Sequence, residues 1–262
     1  MTDRFNNHES LPVIQSLWIG EKLSVMEQLC ISSFLTNCHP FHLYTYGDIK
    51  NVPEGTILKD AAEIISPDKI FKYKDRDTYA GFADVFRYKL LLEKGSYWVD
   101  TDVVCLKPFT NRSDYVFAKT KRRKLFGNLN QTFRVQSCLI KAPPGSGIMK
   151  YCYEVCSSRN TNELKFGEIG PLLLRSAVKK FKLDHYVARP GTFCPIDWPN
   201  WRRFISSSST VILMERIKMF LSRTQAVHLW NEMWRESGVD KNAVFAGSCI
   251  YEQLKRRYLG AS

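Results

Sequence analysis

The chain has 262 residues, enough for one large domain or two small ones at ~150 residues each. With 44% apolar and 24% charged residues it is of ordinary globular composition, which excludes disorder, collagen and coiled coil as whole-chain answers. The net charge of +12 favours anionic partners: phosphate-bearing substrates, an anionic membrane surface or nucleic acid.

The first twenty residues are polar, with Asp3 and Glu9 and no apolar run after a basic start, so no secretory signal is expected. No stretch approaches the ~18 uninterrupted apolar residues of a membrane span. Residues 13–19 read as a strand ending at Gly20. Residues 24–36 read as a helix, with Ser24 as cap and Glu27 completing a capping box. Residues 41–46 alternate and stop at Gly47-Asp48, a second strand. A helix over 79–94 ends at Gly95. Residues 97–104 are β-branched and aromatic and read as one strand. Further strands are expected near 115–119 and 136–141, helices near 146–157 and 170–182, and a last helix over 244–258. Strands alternating with helices predict an α/β fold with a largely parallel sheet, whose ligands bind at the carboxyl ends of the strands. The eight cysteines are scattered and form no CxxC pair, so they read as reduced thiols, mostly small core residues.

The chemistry concentrates between Gly81 and Phe109. The helix here is apolar on almost every side, with Phe82, Val85, Phe86, Tyr88, Leu90, Leu91 and Leu92, and should be buried. Asp84 and Arg87 nevertheless lie three apart on it. A buried ion pair is costly without further partners, so the helix is expected to push a carboxylate and a guanidinium toward a polar ligand. A ribose hydroxyl suits Asp84, and a phosphate or sugar hydroxyl suits Arg87. The plain alternative is a local ion pair. Next comes Asp100-Thr-Asp102, flanked by Tyr97, Trp98, Val99, Val103 and Val104. On an extended strand two residues two apart share a face. Like charges so placed repel unless a cation sits between them. Hard divalent cations take carboxylate and phosphate oxygens, which points to Mg²⁺ or Mn²⁺ carrying a diphosphate.

This segment resembles the DxD sugar-binding region of glycosyltransferase family 32. That group includes initiating mannosyltransferases, α-1,4-glycosyltransferases, capsule and lipopolysaccharide enzymes and the core of clostridial glucosylating toxins. The residues that carry the likeness are Asp84, Arg87-Tyr88, Leu91, Gly95-Ser96, Trp98, Asp100, Asp102, Val103, Leu106 and Pro108. The family's Gly-Gly pair is Gly95-Ser96 here. The opening Ile14-Gln-Ser-Leu-Trp18-Ile-Gly20 resembles the family's first strand, with Gln15 in place of the usual His and Trp18 at the base-stacking position. Gly170-Pro171 resembles a Gly-Pro helix start, and His228-Leu-Trp230-Asn231 resembles the late His-x-Trp element beside the nucleotide diphosphate.

The resemblance implies one GT-A domain, a Rossmann-like sheet with helices on both faces. Residues 12–110 would form the nucleotide-sugar half and 111–262 the acceptor half. It implies a retaining transfer of a hexose or N-acetylhexosamine from a nucleotide-diphospho-sugar, with UDP-sugar preferred over GDP-mannose, to a glycan or lipid-linked glycan. Asp100, Asp102 and His228 would hold the Mn²⁺ or Mg²⁺. Trp18, Asp84, Arg87, His228, Trp230 and Asn231 would line the donor, and Arg87 and Gln136 would act with the aspartates at the sugar. Glu168 is a further candidate there. A bacterial cytoplasmic enzyme acting in polysaccharide or lipopolysaccharide assembly is the expected setting.

Two features lie outside that motif set. The basic run Lys119–Lys124 and the trio Lys255-Arg-Arg257 are expected to attract an anionic membrane or acceptor, placing the enzyme on the inner membrane face. Trp198, Trp201, Arg202 and Arg203 form an aromatic-basic cluster suited to sugar or to core packing. A dehalogenase-type phosphatase also opens on Asp-x-Asp, but it requires Gly-Thr next, where this chain has Val103-Val104. A non-catalytic basic module for membrane or nucleic acid would have no use for Asp84, Arg87, Asp100 and Asp102 together, and no nucleic-acid module is recognisable. Asn111-Arg-Ser and Asn130-Gln-Thr match glycosylation sequons, read as chance matches without a signal peptide.

Overall fold

The structure, a computed structural model, describes residues 11–74, 76–120 and 134–260. It is built on a six-stranded sheet in the order β3-β2-β1-β4-β7-β6. These strands are β1 Ile14–Trp18, β2 Phe41–Thr45, β3 Ile57–Asp60, β4 Ser96–Val99, β6 Val116–Thr120 and β7 Arg134–Ala142. β3, β2, β1 and β4 run parallel, while β7 is antiparallel to both β4 and β6. Five of the six strands therefore run in one direction, largely parallel as expected, and β7 alone runs against them.

Alternation along the strands feeds two cores. Ile14, Leu43, Tyr97 and Val99 face one side, with Met26, Leu29, Cys30 and Phe34 of helix α1 Val25–Thr36. Leu17, Tyr44 and Trp98 face the other. There they meet Phe82, Phe86 and Leu90 of α2 Ala80–Lys94 and Ile148, Met149 and Cys152 of α3 Gly147–Ser157. The alternation of period two thus recruits helices to both faces. The α1 capping box forms as expected from Ser24 and Glu27. Helix α2 stops at Gly95, whose φ of 64° suits glycine and whose missing Cβ leaves room for Pro144. Gln15, the substitute for the family's His, donates to the Gly95 carbonyl at 2.7 Å and so ties β1 to the end of α2.

Three expectations are corrected. The strand over 97–104 breaks into β4 and a separate β5 Val103–Cys105, with Asp100-Thr-Asp102 in the turn between them. β5 pairs not with the main sheet but with β8 Ala226–His228, antiparallel, Val103 opposite His228. The helix over 170–182 divides at Pro171 into an irregular turn, Glu168–Leu172, and α4 Leu173–Lys180. The last helix is shorter, α7 Ile250–Tyr258, because Ala246–Gly247-Ser248 forms a turn before its Cys249 cap. Two helices have no counterpart in the sequence reading: α5 Ser209–Leu221 and α6 Asn231–Glu236.

Candidate active site

In the parallel part of the sheet, β1 lies between β2 and β4, so the strand order reverses between β1 and β4. Crossover connections leave on opposite faces at such a point and open a crevice at the carboxyl ends of the strands. β1 ends at Trp18 and β4 at Val99, one residue before Asp100. A cavity of about 760 Å³ opens here. Its lining includes nine residues expected from the sequence: Trp18, Asp84, Arg87, Asp100, Asp102, Gln136, His228, Trp230 and Asn231. Glu168 is not in its wall. It faces Arg159 and caps the Lys165 amide, a structural part, because the irregular turn points it away from the cavity.

Asp100 and Asp102 come together by a turn, not by strand alternation. Each offers an oxygen that lies, with a ring nitrogen of His228, in a group whose members are all within 4.8 Å of one another. The pairing of Val103 with His228 brings the histidine in from a distant part of the chain. The segment after β8 then wraps Asp102. Leu229 donates its amide to the Asp102 carbonyl at 2.9 Å, and Asn231 donates its amide to Asp102 Oδ2 at 2.7 Å. Trp230 between them has a φ of 62°, a left-handed conformation uncommon for a bulky residue. It is held there by its indole N–H donating to Ile196 at 2.7 Å and by ring contact with His228 at 3.9 Å. Asn231 thus meets Asp102 through its backbone.

His228 Nε2 lies 3.2 Å from Asp102 Oδ2. Burial opposes charge on both groups, but their mutual attraction outweighs it: the Asp102 carboxyl is held below its usual range and the His228 imidazole is raised. Asp100 is pushed up, by burial first and despite Arg87, with the Asp102 charge adding to the rise. Two buried polar atoms in this group have no hydrogen-bond partner, Asp102 Oδ1 and His228 Nδ1. The unpaired Asp102 Oδ1, beside the Asp100 carboxylate and a histidine whose Nε2 faces Asp102, belongs to a donor set suited to a divalent cation. Behind His228, Cys138 and Cys194 stand with their sulfurs 4.0 Å apart. Cys194 and burial raise the Cys138 thiol well above its usual range, so Cys138 stays a protonated thiol packed against the Cys194 sulfur. All eight cysteines are free, and all but Cys38 are buried.

Arg87 is the hub beneath the turn. It donates from Nε to the Ala83 carbonyl at 3.1 Å and from Nη1 to the Ser137 carbonyl at 2.6 Å. Its Nη2 reaches Asp84 at 3.3 Å and Asp100 at 3.2 Å, while the guanidinium lies over the Trp98 ring. The Trp98 indole donates to Asp100 Oδ1 at 2.8 Å. With most of its donors so engaged, Arg87 acts as a positioning residue for both carboxylates. Burial drives the Asp84 carboxyl up to about 6, against the pull of Arg87.

Sequence reasoning missed Gly170. A Cβ there would collide with the Asp84 carboxylate, and the Gly170 carbonyl accepts from Tyr88 Oη at 3.1 Å. The Gly-Pro pair carried the signal: glycine permits the close approach and proline fixes the turn. Arg76, Arg134, Arg175 and Trp198 also line the cavity without having been singled out as donor-site residues. Of the aromatic-basic cluster, Trp201 packs in the core against Trp234, while Trp198 is exposed at the cavity wall. Lys255 is buried and paired with Glu252, which removes it from any surface patch. Lys121–Lys124 and Asn130 lie outside the described residues.

Residues 24–121 match the family described as a glycosyltransferase sugar-binding region containing a DXD motif. Residues 145–258 match the alpha-1,4-glycosyltransferase conserved region. Similar curated proteins include the lactosylceramide 4-alpha-galactosyltransferases of Rattus norvegicus and Mus musculus, each 23% identical over 187 residues. That match takes in 67% of this chain and 46% of those proteins, so the chain spans about half the length of the curated relatives it matches. Among solved structures, the PaToxG glycosyltransferase aligns over 95% of this chain and 87% of its own, at 14% identity and a TM-score of 0.44. GlyE of Streptococcus pneumoniae aligns over 96% and 63%, at 10% identity and a TM-score of 0.42. The two consecutive matched regions contain between them Asp84, Arg87, Asp100, Asp102, His228, Trp230 and Asn231, so the likeness to glycosyltransferases takes in most of the candidate site.

Proposed function

We propose that the chain transfers a hexose or N-acetylhexosamine from a UDP-sugar to a glycan or lipid-linked glycan acceptor, with retention of anomeric configuration. In this reading it is a family 32 enzyme of GT-A type, with donor contacts mainly from residues 12–110 and acceptor contacts mainly from 111–262. The observation that carries it is the Asp100, Asp102 and His228 group, with its orphaned buried Asp102 Oδ1, in the wall of a cavity at the strand-order reversal.

Asp100, Asp102 and His228 would hold Mn²⁺ or Mg²⁺. Such a cation, when bound, neutralises charge developing on a diphosphate leaving group. The chain's own residues supply the rest. Trp18 presents an indole at the end of β1 for a base to stack on, an interaction worth ~1–3 kcal/mol in nucleic-acid complexes. The buried Asp84 carboxyl faces the cavity as a hydrogen-bond partner for a sugar hydroxyl. Arg87 holds Asp84 and Asp100 in register, and Gln136 stands on β7 across the cavity. The likeness to lactosylceramide 4-alpha-galactosyltransferases supports a galactose-like sugar and a glycan acceptor.

Incubation with Mn²⁺ and a panel of UDP- and GDP-sugars, scored for release of free nucleotide, tests this reading. Slow hydrolysis of a UDP-hexose is expected. Hydrolysis of GDP-mannose in preference to every UDP-sugar overturns the donor assignment, and release unaffected by chelator overturns the cation's part.

A further inference from the structure

Among the described residues, helix α5 gathers five exposed large apolar side chains on one element. Leu213, Met214, Ile217, Phe220 and Leu221 are all exposed, Phe220 at 81% and Leu221 at 73%. At 3.6 residues per turn these five positions fall in one arc of about 120°. Arg216 lies just outside one edge of that arc and Lys218 just outside the other, and both are exposed. The opposite side is seated on the protein by buried Ile212 and Glu215 and half-buried Met219. Glu215 is clamped by Arg203 and by Lys218, the latter at 2.9 Å. The apolar arc is therefore a fixed outward face rather than a frayed helix, and Ser208 caps its start.

We propose that this face is a docking surface for an anionic lipid bilayer. The chemistry on the helix separates the occupants. An arc of Leu, Met, Ile and Phe bordered by Arg216 on one edge and by the Glu215-held Lys218 on the other has the pattern of a helix lying in the membrane plane, with the apolar face among acyl chains and Arg216 reaching up to headgroups. Exposed Arg202 and Arg223 extend the basic border at either end of the helix, and the whole chain carries +12. A second copy of so basic a chain would meet like charge around the same patch, whereas an anionic surface meets complementary charge. The docking face is tied to the site. The 3-10 segment Trp198–Ile205 carries Trp198 in the cavity wall and Arg203 in the clamp on Glu215. Docking through α5 thus holds the cavity near acceptors presented at that surface. α5 adds to the basic stretches expected from sequence, Lys119–Lys124 and Lys255–Arg257, a surface where apolar and basic groups combine.

The test is co-sedimentation of the full chain with vesicles of phosphatidylcholine alone and of phosphatidylcholine mixed with phosphatidylglycerol, at low and high salt. Wild type should pellet with the mixed vesicles at low salt, and less as salt shortens the screening length. Ile217→Glu with Phe220→Glu should weaken that binding by roughly tenfold or more, since both charges would enter the acyl region. Arg216→Glu with Arg223→Glu should weaken it on mixed vesicles only. Melting and hydrolysis of the free donor should stay at wild-type levels in both pairs, so failure of the docking proposal and failure of the proposed reaction read out separately. Should the glutamates lower the melt, Leu213→Ser with Phe220→Ser makes the same comparison. No pelleting of wild type with either vesicle overturns the proposal. So does equal pelleting of wild type and the Ile217→Glu, Phe220→Glu pair. A lipid-free dimer by light scattering that this pair converts to monomer gives the face to a second copy instead.

Discussion

Asp84 shows how the site uses burial. Its carboxyl sits 3.3 Å from the Arg87 guanidinium, yet loss of water dominates and lifts it from 3.8 to about 6. A folded-state value above the unfolded one fixes the sign of the pH effect. The contribution of Asp84 to stability is fully present below about pH 3.8 and is lost as pH rises through about 6. Asp84→Asn does not titrate. Wild type should therefore lose stability relative to that variant between about pH 4 and pH 7, by on the order of 3 kcal/mol for a shift of two units. Denaturant melts of both proteins across this range check it, and parallel curves would show that Asp84 is not held against its charge. The residues themselves were legible. A helix apolar on nearly all sides that still carries Asp84 and Arg87 advertises a buried polar site. What the sequence did not show is that Arg87 spends its donors on Ala83, Ser137, Asp84 and Asp100, because those partners come from three separate elements.

At the scale of elements, the irregular turn Glu168–Leu172 sets the position of α2's carboxylate. Gly170 has no side chain because the Asp84 carboxylate occupies that space. Gly170→Ala must push either the turn or Asp84 aside. It should cost stability of the order seen for overpacked cores, about 1–3 kcal/mol. It should also lower donor turnover more than a buried Ile148→Val, which thins the same core away from the cavity. A Gly170→Ala protein with full turnover would release Asp84 from its assigned part. Elements with strong local signals were readable: the Ser24 capping box, the Gly95 stop and the alternation of β1 and β2. Those fixed by distant pairing were not. β4 and β5 are continuous in sequence, and only the pairing of Val103 with His228 separates them. Helix α5 escaped because its exposed apolar arc breaks the expected order of apolar inside and polar outside, which fits a surface with a further partner.

For the whole molecule, the alternation of strands and helices indicated the α/β class, and the position of the DxD after a hydrophobic strand indicated the site. The mixed direction of the sheet was not readable, since nothing local distinguishes an antiparallel β7 from a parallel one. The fold's contribution is convergence. β1 brings Trp18, α2 brings Asp84 and Arg87, the β4–β5 turn brings Asp100 and Asp102, β7 brings Gln136, and β8 brings His228, all to one cavity of about 760 Å³. The central claim is that this cavity binds a nucleoside diphosphate through a cation held by Asp100, Asp102 and His228. Calorimetric titration of UDP into the full chain with Mn²⁺, with excess chelator, and into Asp102→Asn with Mn²⁺ tests it most directly. The account predicts binding in the first case and a loss of roughly tenfold or more in the other two, with Asp102→Asn still folded, because both remove the shared cation. UDP binding of equal strength in all three would contradict it.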